Sequence, residues 1–150
     1  MIKILANDGI SQAGIDALTE KGFNVVTEKV AQEDLINTIN TKNYEVLLVR
    51  SATTVREDLI DACPQLKVVG RGGVGMDNID VDYAREKGIN VINTPAASSA
   101  SVAELVFAHL FGMVRFLFDS NRQMPMVGDA DFKSLKKSYA NGRELAGKTL

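Results

Sequence analysis

An alternation constrains this chain more than any other feature. Short apolar runs rich in β-branched residues recur along the first 95 residues, and each is followed by a stretch of helical period. The apolar runs are 2–6, 23–27, 45–49, 66–70 and 89–92, and the helical stretches between them are 11–21, 33–41, 56–62 and 81–87. Gly22 and Gly88 close the first and last of these helices, and Pro64 stops the third. Parallel neighbours in a sheet need crossovers, and crossovers of this length are helices. The pattern therefore predicts an α/β fold with a doubly wound, open parallel sheet covered on both faces.

Ligands of such sheets bind outside the carboxyl ends of the strands. Here the third strand runs into Arg50-Ser51-Ala52-Thr53-Thr54, the fourth into Gly70-Arg71-Gly72-Gly73-Val74-Gly75, and the fifth into Asn93-Thr94-Pro95. All three belong on one edge, where two arginines, several hydroxyls and backbone donors suit a small anion. Four glycines within six residues give the backbone access to positive φ and to close approach, so successive N–H groups can converge on that anion. The competing readings are a plain strand-to-helix turn for the loop and a surface ion pair for Arg50. The GxGGxG spacing is not read as a dinucleotide fingerprint. That motif opens its domain's first βα turn and has an acid about 20 residues later, whereas the strand after this loop ends in Asn93-Thr94-Pro95.

Composition excludes several classes. With 150 residues, 45% hydrophobic and 24% charged, the chain reads as globular, one domain or one and part of another. A net charge of −2 gives no general attraction to nucleic acid or to an anionic membrane, and no apolar run reaches the ~18 residues of a membrane span. Residues 1–6 read as a strand rather than a signal peptide. The single cysteine, Cys63, rules out an internal disulfide or a cysteine metal cluster and reads as a packed small residue in a reducing compartment. A cytoplasmic protein without a metal site is expected.

Beyond Pro95 the character changes. Ser101-Val102-Ala103-Glu104 has capping-box spacing and opens a helix expected to run to about residue 118. Its apolar residues go nearly all the way round, so it needs cover from a second domain or another subunit. His109 lies within it, far from any Cys, Asp or second His, and reads as a packed or interfacial residue. Residues 119–143 are polar and mixed, with Lys133, Lys136 and Lys137 on a solvated face. Leu145-Ala146-Gly147-Lys148-Thr149-Leu150 reads as a turn leading into an apolar run.

Five segments taken together carry a family resemblance: Val49-Arg50-Ser51-Ala52-Thr53, the run 69–80 (VGRGGVGMDNID), the run 88–95 (GINVINTP), Ser101-Val102-Ala103-Glu104-Leu105, and the run 144–150 (ELAGKTL). At this spacing the chain resembles the amino-terminal half of the D-2-hydroxyacid dehydrogenases, and within them the branch that oxidises 3-phosphoglycerate. The resemblance implies a flavodoxin-like substrate domain over 1–97. It also implies a crossing helix and the start of a Rossmann NAD-binding domain over 98–150, with Thr149-Leu150 beginning its first strand. The implied activity is NAD-dependent oxidation of 3-phosphoglycerate for serine biosynthesis; a glyoxylate or hydroxypyruvate reductase and a corepressor-like scaffold on the same frame are the alternatives.

Carried over by resemblance, Arg50, Ser51 and Arg71 face the substrate phosphate. The backbone from Gly72 and Gly73 to Gly75 cradles its carboxylate, and Ser98 stands where many members place an asparagine. Val74, Gly75 and Val102 lie near the nicotinamide. The family's catalytic arginine, glutamate and histidine fall beyond Leu150, so no catalytic residue is assigned here and the chain by itself is expected to be inactive. The crossing region implies a homodimer with Leu110, Met113, Val114 or Leu117 near the two-fold axis.

Overall fold

A computed structural model describes residues 1–150. The chain divides into two compact units, Met1–Ala97 and Ser98–Leu150. The first holds five parallel strands, β1 (Lys3–Ala6), β2 (Asn24–Val26), β3 (Val46–Val49), β4 (Val68–Arg71) and β5 (Asn90–Asn93), in the order β2-β1-β3-β4-β5. The helices between them are α1 (Gln12–Glu20), α2 (Leu35–Lys42), α3 (Glu57–Ala62) and α4 (Val81–Glu86). All five predicted strands are present, and the sheet is the α/β arrangement the alternation requires.

Local chemistry sets the helix ends. Ser11 caps α1 by accepting from the Gly14 amide at 3.2 Å, Asn43 closes α2 in the left-handed region at φ 54°, and Gly88 follows α4 at φ 82°. Right-handed crossovers place α1 on one face and α2, α3 and α4 on the other. Cover is accordingly unequal. Leu5, Leu47, Val49, Val69 and Val91 pack with Leu35, Ile39, Leu59, Ile60 and Ala84 in one core. The alternate row on the opposite face is Leu48, Gly70 and Ile92, joined in register, and Ile92 remains 50% exposed. Cys63 is fully buried in the core, and burial pushes its thiol up to about 11, so it is a packed apolar group as read.

The second unit departs from expectation. The helix predicted to run from the Ser101 capping box to residue 118 instead begins at Ser99, has Ser98 at its N-cap without a side-chain cap bond, and ends at Val114. This helix, α5 (Ser99–Val114), breaks at Phe116, which takes a left-handed φ of 55°. Residues 119–143, read as polar and mixed, mostly belong to a further helix, α6 (Leu117–Ser138), kinked at Asp131 and bent 56° from α5. Tyr139 fastens that end, its ring 6.0 Å from Phe116 and its hydroxyl donating to Asp119 at 2.7 Å. No single helix is long and apolar enough to cross a membrane. His109 is exposed on α5, not packed within this chain. Residues 146–147 form a turn, and 148–150 follow it without assigned secondary structure.

Candidate functional site

Strands β1, β3, β4 and β5 bring their carboxyl ends to one edge. A crevice of about 640 Å³ opens there, beside the switch point of the strand order between β1 and β3. Leu48, Gly70 and Ile92 form its apolar floor, while Asp8, Arg50, Arg71, Gly72 and Thr94 stand around it. A Cβ at Gly70 would lie 2.7 Å from Leu48 Cδ2, so a larger residue there would have to displace the Leu48 methyl.

The two arginines behave differently. Arg50 is exposed at the rim and its guanidinium has no acidic partner, so the ion-pair reading fails. Arg71, with only 13% of its side chain exposed, folds under the loop it begins. Its Nη1 donates to the Gly75 carbonyl and to the Asp77 carboxylate, the latter at 3.0 Å, and this contact holds the Asp77 carboxyl below its ordinary value. Its Nε is buried without a partner.

That fold-back corrects the reason given for the glycines. None of Gly70, Gly72, Gly73 and Gly75 has a positive φ. Gly75 instead leaves room for the guanidinium, since a Cβ there would sit 3.1 Å from Arg71 Nη1. The expected row of converging amides is also shorter than the sequence implies. The Gly72 amide donates to the Val49 carbonyl at 2.9 Å and the Gly73 amide to the Arg71 carbonyl at 3.0 Å, leaving Val74 and Gly75 with open N–H groups. Two bonds tie this loop to the end of β5, Thr94 N–H to the Gly73 carbonyl at 3.1 Å and Asn93 Nδ2 to the Val74 carbonyl at 2.7 Å.

The same edge holds residues the sequence reading passed over. Asp8 follows β1, and 4% of its side chain is exposed. Burial alone would raise its carboxyl, but Lys29, the amides of Arg50 and Thr53 and the Thr53 hydroxyl outweigh burial and hold it at about 2. Asn7 and Asn78, both buried, tie into the segment after β3: Asn7 Nδ2 donates to the Thr53 hydroxyl at 2.9 Å and Asn78 Nδ2 to the Arg50 carbonyl at 2.8 Å. A signal existed, because Asn7-Asp8-Gly9 ends the first strand on the edge where the carboxyl-end rule looks for ligands.

Of the expected site residues, Arg50, Ser51, Arg71, Gly72 and Gly73 share this edge, with Val74 and Gly75 at the exposed tip of their loop. Ser98 and Val102 belong to the second unit, where both are exposed.

Comparison with known proteins accounts for this arrangement. The profile of the D-isomer specific 2-hydroxyacid dehydrogenase catalytic domain matches residues 4–146. The chain is 43% identical over its whole length to a D-3-phosphoglycerate dehydrogenase of Methanocaldococcus jannaschii, and 38% identical over 99% of it to a hydroxypyruvate reductase of Thermotoga maritima. It spans 27% and 46% of those proteins, less than half of each. Among solved structures, NAD⁺-bound 3-phosphoglycerate dehydrogenase of Entamoeba histolytica superposes on 76% of this chain and 39% of its own, with a TM-score of 0.62 at 29% identity. A Pyrococcus horikoshii protein shares the fold over 99% of this chain and 44% of its own, with a TM-score of 0.82 at 19% identity. The match along nearly all of its length, on a parallel sheet with its crevice at the carboxyl edge, places this chain in the D-isomer specific 2-hydroxyacid dehydrogenase family.

Proposed function

We propose that this chain is the substrate-binding part of a cytoplasmic, homodimeric, NAD-dependent dehydrogenase that oxidises 3-phosphoglycerate to 3-phosphohydroxypyruvate. The observation that carries the reading is the unpaired Arg50 guanidinium beside the exposed Ser51, on the same edge as the open amides of Val74 and Gly75. A planar guanidinium suits a phosphate through paired N–H donors, and backbone amides suit a carboxylate. Held at two places, the substrate would present its hydroxyl-bearing carbon in between. Similarity to phosphoglycerate dehydrogenases over the whole chain supports this choice.

Oxidation removes a hydride from that carbon and a proton from its hydroxyl, and a bound nicotinamide supplies the hydride acceptor. What this chain offers toward such a ring fits it: Val74, 51% exposed at the loop tip, is an apolar surface beside Gly75, which has no side chain to intrude. Val102, 55% exposed, is an apolar surface residue of the second unit. Under this reading the chain binds and orients, while Ser98 helps to place the substrate. The exposed apolar residues of α5 meet a second copy.

A second reading, a hydroxypyruvate or glyoxylate reductase, is favoured by one observation: Arg71 is engaged by its own loop, which leaves a single unpaired guanidinium at the rim. Substitution separates the two. In the intact enzyme Arg50→Ala should raise KM for 3-phosphoglycerate about 10- to 100-fold more than for glycerate, the cost of losing a charge-assisted contact. Arg71→Ala, by releasing the glycine loop, should harm both substrates alike. Equal losses with Arg50→Ala would reject the phosphate assignment and favour the reductase.

A further inference from the structure

Residues 50–53 are gripped from two sides by side chains distant in sequence. Asp8 Oδ2 accepts from the amides of Arg50 at 2.7 Å and Thr53 at 3.1 Å, while its Oδ1 accepts from the Thr53 hydroxyl at 2.8 Å. Asn78 Nδ2 donates to the carbonyls of the same two residues, Arg50 at 2.8 Å and Thr53 at 2.6 Å. Both ends of the turn are thus fixed through N–H and C=O together. Ser51 and Ala52, between the fixed ends, are exposed and their amides have no partner within the chain.

We propose that Asp8 and Asn78 are positioning residues that hold residues 50–53 in one conformation, so that the Arg50 guanidinium and the Ser51 and Ala52 amides are set for the anionic end of a phosphorylated hydroxy acid. The inference rests on the reading of this segment as the phosphate site.

Three features favour this role over ordinary loop packing. First, a carboxylate is acceptor-only, so Asp8 takes three donors from this turn without offering an N–H of its own; a carboxamide there would set a donor against a donor. Second, Lys29 Nζ lies 2.5 Å from Asp8 Oδ1, and its charge offsets a carboxylate that would otherwise repel an incoming anion. Third, Asn78 Oδ1 is buried without a partner, an unfavourable arrangement retained where the donor end of the side chain is needed. Ordering an exposed turn at each binding event would subtract from affinity, and a turn already ordered avoids that cost. The clamp should therefore act on substrate affinity and leave the turnover step alone.

The test uses ¹⁵N-labelled wild-type chain, Asp8→Asn and Asn78→Ala, titrated with 3-phosphoglycerate and with glycerate. In the wild type, 3-phosphoglycerate should shift the Ser51 and Ala52 amides saturably. Each variant should keep the wild-type spectrum elsewhere, show raised mobility confined to 50–53, and bind 3-phosphoglycerate about tenfold more weakly or worse, a loss of one unit in log Kd. Glycerate affinity should not change. In the intact dehydrogenase the same variants should raise KM for 3-phosphoglycerate by a similar factor at nearly constant kcat. Wild-type rigidity at 50–53 or wild-type affinity in both variants would overturn the clamp while leaving the phosphate site standing. No shift at Ser51 and Ala52 in the wild type would instead overturn the site, and the clamp with it. If Asp8→Asn fails to fold, Asn78→Ala decides alone, since it leaves the Asp8 network in place.

Discussion

Substituting Gly70 by alanine tests how the crevice floor is built. Gly70 lies in register between Leu48 and Ile92, and the new Cβ would stand 2.7 Å from Leu48 Cδ2 and 3.4 Å from Ile92 Cγ1. Carbon atoms rest at about 3.5–4.0 Å, so the leucine methyl must retreat by roughly 1 Å. Forcing extra volume into a packed core costs about 1–3 kcal/mol; here the obstacle is the free end of a flexible leucine beside the crevice, so the low end, about 1 kcal/mol, applies, and alanine returns about 0.5–1 kcal/mol of backbone entropy in a strand. The net expectation is destabilisation by no more than about 0.5 kcal/mol. Removing the obstacle reverses the sign: in a Leu48→Ala background the methyl has space, and Gly70→Ala should stabilise by about 0.5 kcal/mol or more. Urea unfolding of the four chains, followed by circular dichroism, closes the cycle. Distant, independent sites add to within about 0.3–0.5 kcal/mol, so additivity at that level would refute the clash as the reason for glycine.

Other expectations are more briefly stated. Because the Asp8 carboxyl is held at about 2 in the folded chain, below an unfolded aspartate, the folded state binds fewer protons. Its contribution, about 2 kcal/mol, is complete above pH ~4 and lost as the pH falls toward 2. Urea stability measured across that window should show the step, and Asp8→Asn should flatten it; an unchanged slope in the variant would place the effect elsewhere. Replacing Leu105, 59% exposed, or Met113, 75% exposed, by aspartate should turn a dimeric intact enzyme into monomer or aggregate, as read by light scattering. A wild type that is monomeric at micromolar concentration would reject the interface.

The sheet was legible because its signal is periodic: β-branched runs punctuated by Gly22, Pro64 and Gly88 need no tertiary knowledge to read. The carboxyl-end rule likewise brought residues 50–54, Arg71 and Asn93 to one edge. What escaped depends on side-chain partners. The glycine loop looks from its spacing like a run of left-handed backbone, yet Gly70 answers to Leu48 and Gly75 to Arg71, contacts that no local pattern encodes. The break at Phe116 carries neither proline nor glycine, so an apolar pattern that continues across it reads as a single helix. Asp8 and Asn78 look like common turn residues, and only the fold shows them meeting on one segment.

Cys63 turns the core into its own clock. It is the chain's single thiol, entirely sealed, and at a pKa of about 11 only on the order of one molecule in ten thousand carries thiolate at neutral pH. An alkylating reagent can therefore register only those moments when α3 parts from the sheet, because exposure restores both access and an ordinary thiol acidity. The rate of labelling then counts openings of the first unit one by one, without any engineered probe, and a bound substrate that steadies the crevice should slow the count.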